Sequence, residues 1–334
     1  MNELVFFINK AVISGLVTGS IYAMGAVGVT LIFAILRFAH FAHGDLMTLG
    51  ALIAYALTLA FPHAGALVGL PSAFVLLPPA MVITATVSIW LDGRFYRPLR
   101  ERNVKPVVLV MASIGVTLMI QGLIRLFAGT GARSMFIAEH KDIFRFGLPF
   151  ELARRKIVIS EPQVLIIIFA AAAVFALHWF LTRTRTGKAM RAMSDNPDLA
   201  RVSGIATGKV VRVTWLISGS LAAAAGTLLS LDVALKPDMS FNILLPIFAA
   251  AISGGVGQPY GAIAGGFLVG FAETLSVFNW ALLLRPLERL SGGLIEIPAR
   301  LSFVAAEYKL TVPFVILVLV LVFRPTGIFR GKVL

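Results

Sequence analysis

The residues best placed to do chemistry in this chain are Arg37-Phe38-Ala39-His40-Phe41-Ala42-His43-Gly44-Asp45, which interrupt a long apolar stretch. An ionisable group at the centre of a bilayer costs about 2.5–3.5 kcal/mol on insertion scales and usually marks a pathway. A turn at the membrane surface carries no such cost, and the sequence leaves both depths open. His40 and His43 stand three apart and could share one helical face as a metal pair. No Glu lies between them as in a zinc hydrolase helix, so a turn with hydrogen-bonded histidines is the plainer reading. An intramembrane hydrolase would need His40, His43 and Asp45 to converge as ligands, and the same missing Glu argues against it.

The second candidate is Gly254-Gly255-Val256-Gly257-Gln258-Pro259-Tyr260-Gly261. Glycine loops cradle phosphates when a Lys followed by Ser or Thr closes them. Here none does, and neither Gly187-Lys188-Ala189 nor Gly208-Lys209-Val210 completes a Walker motif. A tight turn between two spans fits better, followed by Gly261, Gly265, Gly266 and Gly270 at spacings that let helices approach closely. Small residues recur at Gly15, Gly19, Ala23 and Ala26, and again at Gly219, Ala222 to Ala225 and Gly226. For a proton relay or sodium site, Asp232 and Glu273 are the nearest carboxylates.

These groups must be positioned by membrane helices. The 334 residues are 58% hydrophobic and 13% charged, with a mean hydropathy of +0.91, far outside the range of soluble domains. The fold class expected is an all-α polytopic membrane bundle of about eight transmembrane helices, plus or minus one, forming a single domain over 1–334. Apolar runs are placed near Ala11–Leu36, Leu46–Phe61, Ser72–Leu91, Pro106–Phe127, Pro162–Leu181, Val211–Leu231, Gly261–Leu284 and Thr311–Phe323. A shorter one, Phe241–Ser253, would cross or re-enter. The amino terminus lacks the pattern of a cleaved signal, so the first span is expected to serve as the insertion signal.

A formal net charge of +13 would suggest nucleic acid in a soluble protein. Here the cations flank apolar spans: Arg94, Arg97, Arg100, Arg102 and Lys105 in one loop, Arg183 through Arg212 in another. The positive-inside rule puts both on the cytoplasmic face, and the two spans between them make those placements agree. Trp90, Trp179 and Trp215 lie at span ends beside these loops, where an interfacial aromatic belt is expected. The mixed-charge stretches at about 129–161, including Glu151 and Arg154-Arg155, and at about 285–310 then face outward. The tail with Arg324-Pro325, Arg330 and Lys332 faces inward. With no cysteine, disulfides and thiolate chemistry are excluded.

Thr184 to Val210 is the one long polar passage between two apolar halves. Asn196-Pro197 predicts a helix start, with Asn196 or Asp195 capping orphan amides and Pro197 in the first turn. Gly204 reads as a left-handed stop, giving a short helix over roughly Pro197 to Ser203 outside the bilayer. A solvated loop that only fixes topology would have this composition, as would a helix that docks in a partner's groove.

Gly187, Arg191-Ala192, Asn196, Ala200 and Gly204-Ile205 resemble the coupling loop of ABC importer permeases. The run Gly15–Ala54, the glycine-rich segment and the tail Phe323–Phe329 resemble the branched-chain amino acid ABC permeases of the LivH type. Relative to that pattern, His40 stands where Asn is usual and Asp45 where Glu is common. The resemblance implies a transport subunit rather than an enzyme, in a bacterial inner membrane, with no cofactor of its own. ATP and magnesium would sit on partner ATPase subunits. It also implies a second permease subunit, related or identical, and an extracytoplasmic substrate-binding protein. The coupling residues implied are Gly187, Arg191, Ala192, Asn196, Ala200, Gly204 and Ile205. Arg37, His43, Gly44 and Asp45 are the implied pathway residues, and Gly254, Gly255, Gly257, Gly261 and Gly265 the packing glycines. The substrate expected is a branched-chain, hydrophobic amino acid. Urea or short amides are the alternative, and an ion-coupled secondary transporter is a reading from a different class.

Overall fold

A computed structural model describes residues 2–66, 68–137, 139–147, 156–290, 298, 300–324 and 326–329, with the backbone alone for 286–290. Glu151, Arg154, Arg155, Pro325, Arg330 and Lys332, singled out above, lie outside the described residues.

The described chain is mostly helical, with almost no sheet. Six helices are long and apolar enough to cross a membrane: α1 (Asn2–Leu36), α2 (His43–Ala60), α4 (Pro106–Ala128), α5 (Glu161–Arg183), α8 (Thr207–Asp232) and α10 (Pro259–Val277). Three shorter helices pack among them: α3 (Leu77–Leu91), α9 (Met239–Gly254) and α12 (Thr311–Phe323). Between α5 and α8 stand α6 (Arg185–Asp195) and α7 (Pro197–Val202), and α11 (Ala281–Leu290) follows α10. The sequence reading ran one span from Gly261 to Leu284. The chain instead breaks after Val277, where Phe278 is extended and Asn279 Oδ1 accepts the Ala281 amide at 3.2 Å.

α1 and α8 form the centre, and α1 is buried along nearly all of Gly15–Leu36. A span buried on all sides needs small residues wherever backbones cross. A Cβ at Gly226 on α8 would lie 2.0 Å from the Met47 carbonyl oxygen of α2, and one at Gly50 would lie 2.4 Å from Ala223 Cα. Likewise Gly266 and Gly270 of α10 lie against Ala23 and Gly19 of α1. Between α9 and α10 the turn uses two positive-φ glycines, Gly255 (118°) and Gly257 (83°). Across that turn, Gly254 and Gly261 touch backbone to backbone. The tail closes on the same turn, with Ile328 N donating to Ser253 O at 2.9 Å and Phe329 N to Gly254 O at 3.1 Å.

The described residues of the 129–161 connector include two short strands. Its strands β1 (Ile143–Phe146) and β2 (Ile157–Ser160) pair antiparallel, with Ile143 opposite Ser160. Asn9 of α1 clamps β2, donating to Lys156 O and accepting from Val158 N, both at 3.1 Å. Glu139 accepts the Ser72 amide and hydroxyl, and Lys141 pairs with Asp232.

One ionic cluster ties the last helices to the centre. Tyr22 OH on α1 donates to Glu273 Oε2 on α10 at 2.7 Å, and Lys309 Nζ, ahead of α12, sits 3.0 Å from Glu273 Oε1. Glu273 is 2% exposed and Lys309 42%. Stranding a buried charge costs more than removing both partners. Lys309→Ala is therefore expected to lower stability by about 1–2 kcal/mol, the small end because solvent reaches Lys309. Glu273→Gln in the same chain should recover most of the loss. Thermal midpoints of the three variants in detergent check this by a double-mutant cycle.

Candidate functional site

Arginines of the two basic loops collect at one end of the bundle. Leu36, Arg37, Arg97, Arg100, Arg201 and Arg212 line a common cavity of about 620 Å³ there. Within it Arg100 grips Asp92 through both guanidinium nitrogens, at 2.6 and 3.0 Å.

Three features hold α6 and α7 across this end. Thr184 Oγ1 accepts the Gly187 amide at 2.9 Å and so caps α6. Gly187 lies on the end of α5, where a Cβ would stand 2.1 Å from Phe180 O; only glycine lets the two helices meet so closely. Arg37 caps α1 in the left-handed conformation (φ 59°), and its guanidinium donates to Ser194 O of α6. Asn196 Oδ1 accepts the Asp198 and Leu199 amides at 3.1 and 3.0 Å, capping α7. Gly204 (φ 80°) ends the segment, and Ile205 N returns to Ala200 O at 3.0 Å.

Gly187, Met190, Met193 and Ala200 are buried beneath this platform. Ala192 and Ile205 are half-buried, while Arg191, Asn196 and Gly204 are exposed. Two residues that the sequence reading passed over protrude from it: Leu199 at 63% and Val202 at 86% exposure. Two apolar side chains three apart on a short polar helix share a face, and that spacing was the signal available.

The histidine segment lies well inside the bundle. Phe41 N donates to Ser113 Oγ at 3.2 Å, and Ser113 is two helical turns from the start of α4 at Pro106. At 1.5 Å per residue the segment sits about 10 Å along a helix about 34 Å long. α9 begins at the same level, for a Cβ on Gly44 would meet Ser240 O at 3.1 Å. Its 16 residues span only about 24 Å, less than the roughly 30 Å of a hydrocarbon core. Thus α2 and α9 both start part-way through the bundle, and α9 is fed by a descending stretch, Val233–Asp238.

The two histidines have separate surroundings. His40 Nε2 lies 3.1 Å from Tyr96 OH, and its ring packs edge-on against Trp215 at 4.9 Å. Burial, with the charge of Asp92 adding, holds the Tyr96 phenol above its ordinary range, so it remains a hydroxyl. His43 Nδ1 stands 3.5 Å from Ser218 Oγ, which itself donates to Gly28 O at 3.0 Å. The rings are 6.4 Å apart, and the described residues bring no third ligand to them. Asp45, in the first turn of α2, is 2% exposed, and Thr117 of α4 and Ser240 of α9 lie close to it. Arg37 points to α6 instead, so the segment joins α6 on one side and carries the buried carboxylate on the other.

Residues 11–321 match the family model described as the permease component of branched-chain amino acid transport systems. The chain is 29% identical over 334 residues to the high-affinity branched-chain amino acid permease protein BraD of Pseudomonas aeruginosa, covering 98% of this chain and 97% of that protein. It is 27% identical over 340 residues to LivH of Escherichia coli K12, with the same coverage. A probable LivH permease of Methanocaldococcus jannaschii is 27% identical over 274 residues, 82% of each chain.

Proposed function

The chain belongs to the branched-chain amino acid transport permease family, and on that premise we propose that it is the inner-membrane permease subunit of a binding-protein-dependent importer. It would carry branched-chain, hydrophobic amino acids inward, powered by ATP hydrolysis on partner subunits. ATP and magnesium belong to those partners. The basic end faces the cytoplasm, as the positive-inside rule requires, and the hairpin end faces the substrate-binding protein. A second permease, identical or related, completes the membrane pair.

The observation that carries this reading is the α6–α7 platform. Its exposed Leu199 and Val202 offer an apolar knob to a partner's groove, and its underside is fastened to two spans. Gly187 locks it to α5, and the Arg37–Ser194 hydrogen bond locks it to the end of α1. A displacement of α7 therefore moves α1, and with it the connector 38–42 that leads into His43 and Asp45. Arg191, Ala192, Asn196, Ala200, Gly204 and Ile205 shape the platform; His43, Gly44 and Asp45 stand where it would act.

Competition tests the substrate class. In vesicles holding the complete assembly, unlabelled leucine, isoleucine and valine are expected to suppress radiolabelled leucine uptake by more than tenfold. Urea and acetamide should leave it unchanged. Suppression by urea equal to that by valine would reassign the substrate.

A further inference from the structure

The carboxylate side of the α2 segment has the parts of a ligand site shut in this conformation. Asp45 Oδ1 and Thr117 Oγ1 are both buried without a hydrogen bond of good geometry, although the Thr117 and Ser240 hydroxyls lie close to the carboxylate. A buried carboxylate with an unmet acceptor is costly in a membrane interior, where it ordinarily finds a partner or serves a pathway. The charge offsetting it is Arg125, on the exposed side of α4. The α2 N-terminus, where Asp45 occupies the first turn, adds part of a positive charge. Neither fills the vacant acceptor.

Directly outward from Asp45 the walls become apolar. Thr48, Leu52, Ile124 and Ala128 surround a cavity of about 10 Å³, closed by Arg133, Leu235 and Pro237. That volume holds one water at most. The closure is a short bar: Arg133 and Leu235 exchange two backbone hydrogen bonds of 2.9 Å. The Arg133 guanidinium donates to Ala128 O and lies over the Tyr55 ring at 5.4 Å. The bar joins the connector that follows α4 to the stretch that feeds α9, so parting those two segments breaks it.

We propose that Asp45, with the hydroxyls of Thr117 and Ser240, is a station for the ammonium group of a passing amino acid, with the apolar side chain against Leu52 and Ile124 and the Arg133–Leu235 bar as its outer gate. This rests on the importer reading above and adds the chemistry of recognition. A primary ammonium presents three donors, matching one vacant carboxylate oxygen and two hydroxyls. A neutral amide brings no charge to offset Asp45.

The chain contains no cysteine, so an introduced thiol is the sole thiol of this subunit, and labelling is read on this chain after it is separated from its partners. Thr117→Cys and, separately, Ser240→Cys are made in the complete assembly in vesicles. During ATP-driven turnover each is treated with the ammonium-bearing 2-aminoethyl methanethiosulfonate or the anionic 2-sulfonatoethyl analogue. The cationic reagent is expected to react at least tenfold faster. Leucine should slow it at least fivefold, urea should not, and Asp45→Asn in the same chain should erase the reagent preference while Asp45→Glu keeps it. Absence of labelling in both variants, equal rates for the two reagents, or a preference that leucine leaves untouched overturns the station. Leucine uptake by the same vesicles separates the two levels. Uptake without leucine protection refutes the station alone; no leucine uptake by the unmodified assembly refutes the importer reading itself.

Discussion

Replacing Leu199 and Val202 together by aspartate is expected to reduce ATP-driven leucine uptake by at least tenfold without lowering the thermal midpoint of the isolated chain. Both side chains are mostly exposed, so their removal strands no buried contact. Docked in a partner's groove, two apolar anchors at the centre of a contact are each worth upwards of about 1 kcal/mol, and two charges placed there oppose binding. A tenfold change needs only 1.4 kcal/mol. The companion measurement is the Kd of the ATPase for the chain in nanodiscs, which should weaken in step with uptake. Unaltered uptake and affinity would remove α7 from the coupling surface.

Gly226→Ala is expected to be strongly destabilising. Its Cβ would press on the carbonyl carbon and oxygen of Met47, at 2.6 and 2.0 Å. Backbone in the central α2–α8 crossing has nowhere to go. Overpacking typically costs 1–3 kcal/mol, and this site should reach about 3 kcal/mol, seen as a lost monodisperse peak and a lowered thermal midpoint. Gly115→Ala on the exposed face of α4 is the control. No atom lies within 4 Å of its added methyl, and alanine is favoured over glycine in a helix by about 1 kcal/mol. Equal behaviour of the two variants would show that backbone proximity is not what these glycines serve.

Much of this architecture is readable from residue order because membrane insertion imposes length and charge rules that soluble packing does not. The long apolar runs became α1, α2, α4, α5, α8 and α10, and the two basic loops meet at one end of the bundle, where Arg97, Arg100, Arg201 and Arg212 share a cavity. Asn196-Pro197 could be read as a helix start because its capping partners are local in sequence.

What escaped the reading is non-local. α6 is strongly amphipathic but not apolar, so a search for apolar runs passes over it although its helical periodicity is present in the sequence. Arg37 looked like a pathway residue, and only the fold carries its guanidinium to Ser194, 157 residues away. The depth of the His40–Asp45 segment depended on Ser113, contributed by a different span. The tail's docking on Ser253 and Gly254 has no local signature, since it is made by main-chain groups that every residue carries.

The measurement that addresses the central claim most directly is radiolabelled leucine uptake into vesicles holding this chain, with its ATPase, binding protein and second permease omitted one at a time. The account predicts uptake against a gradient only with the full set and hydrolysable ATP, unaffected by ionophores. Uptake by this chain alone, collapsing when an ion gradient is dissipated, would contradict it and identify a secondary carrier.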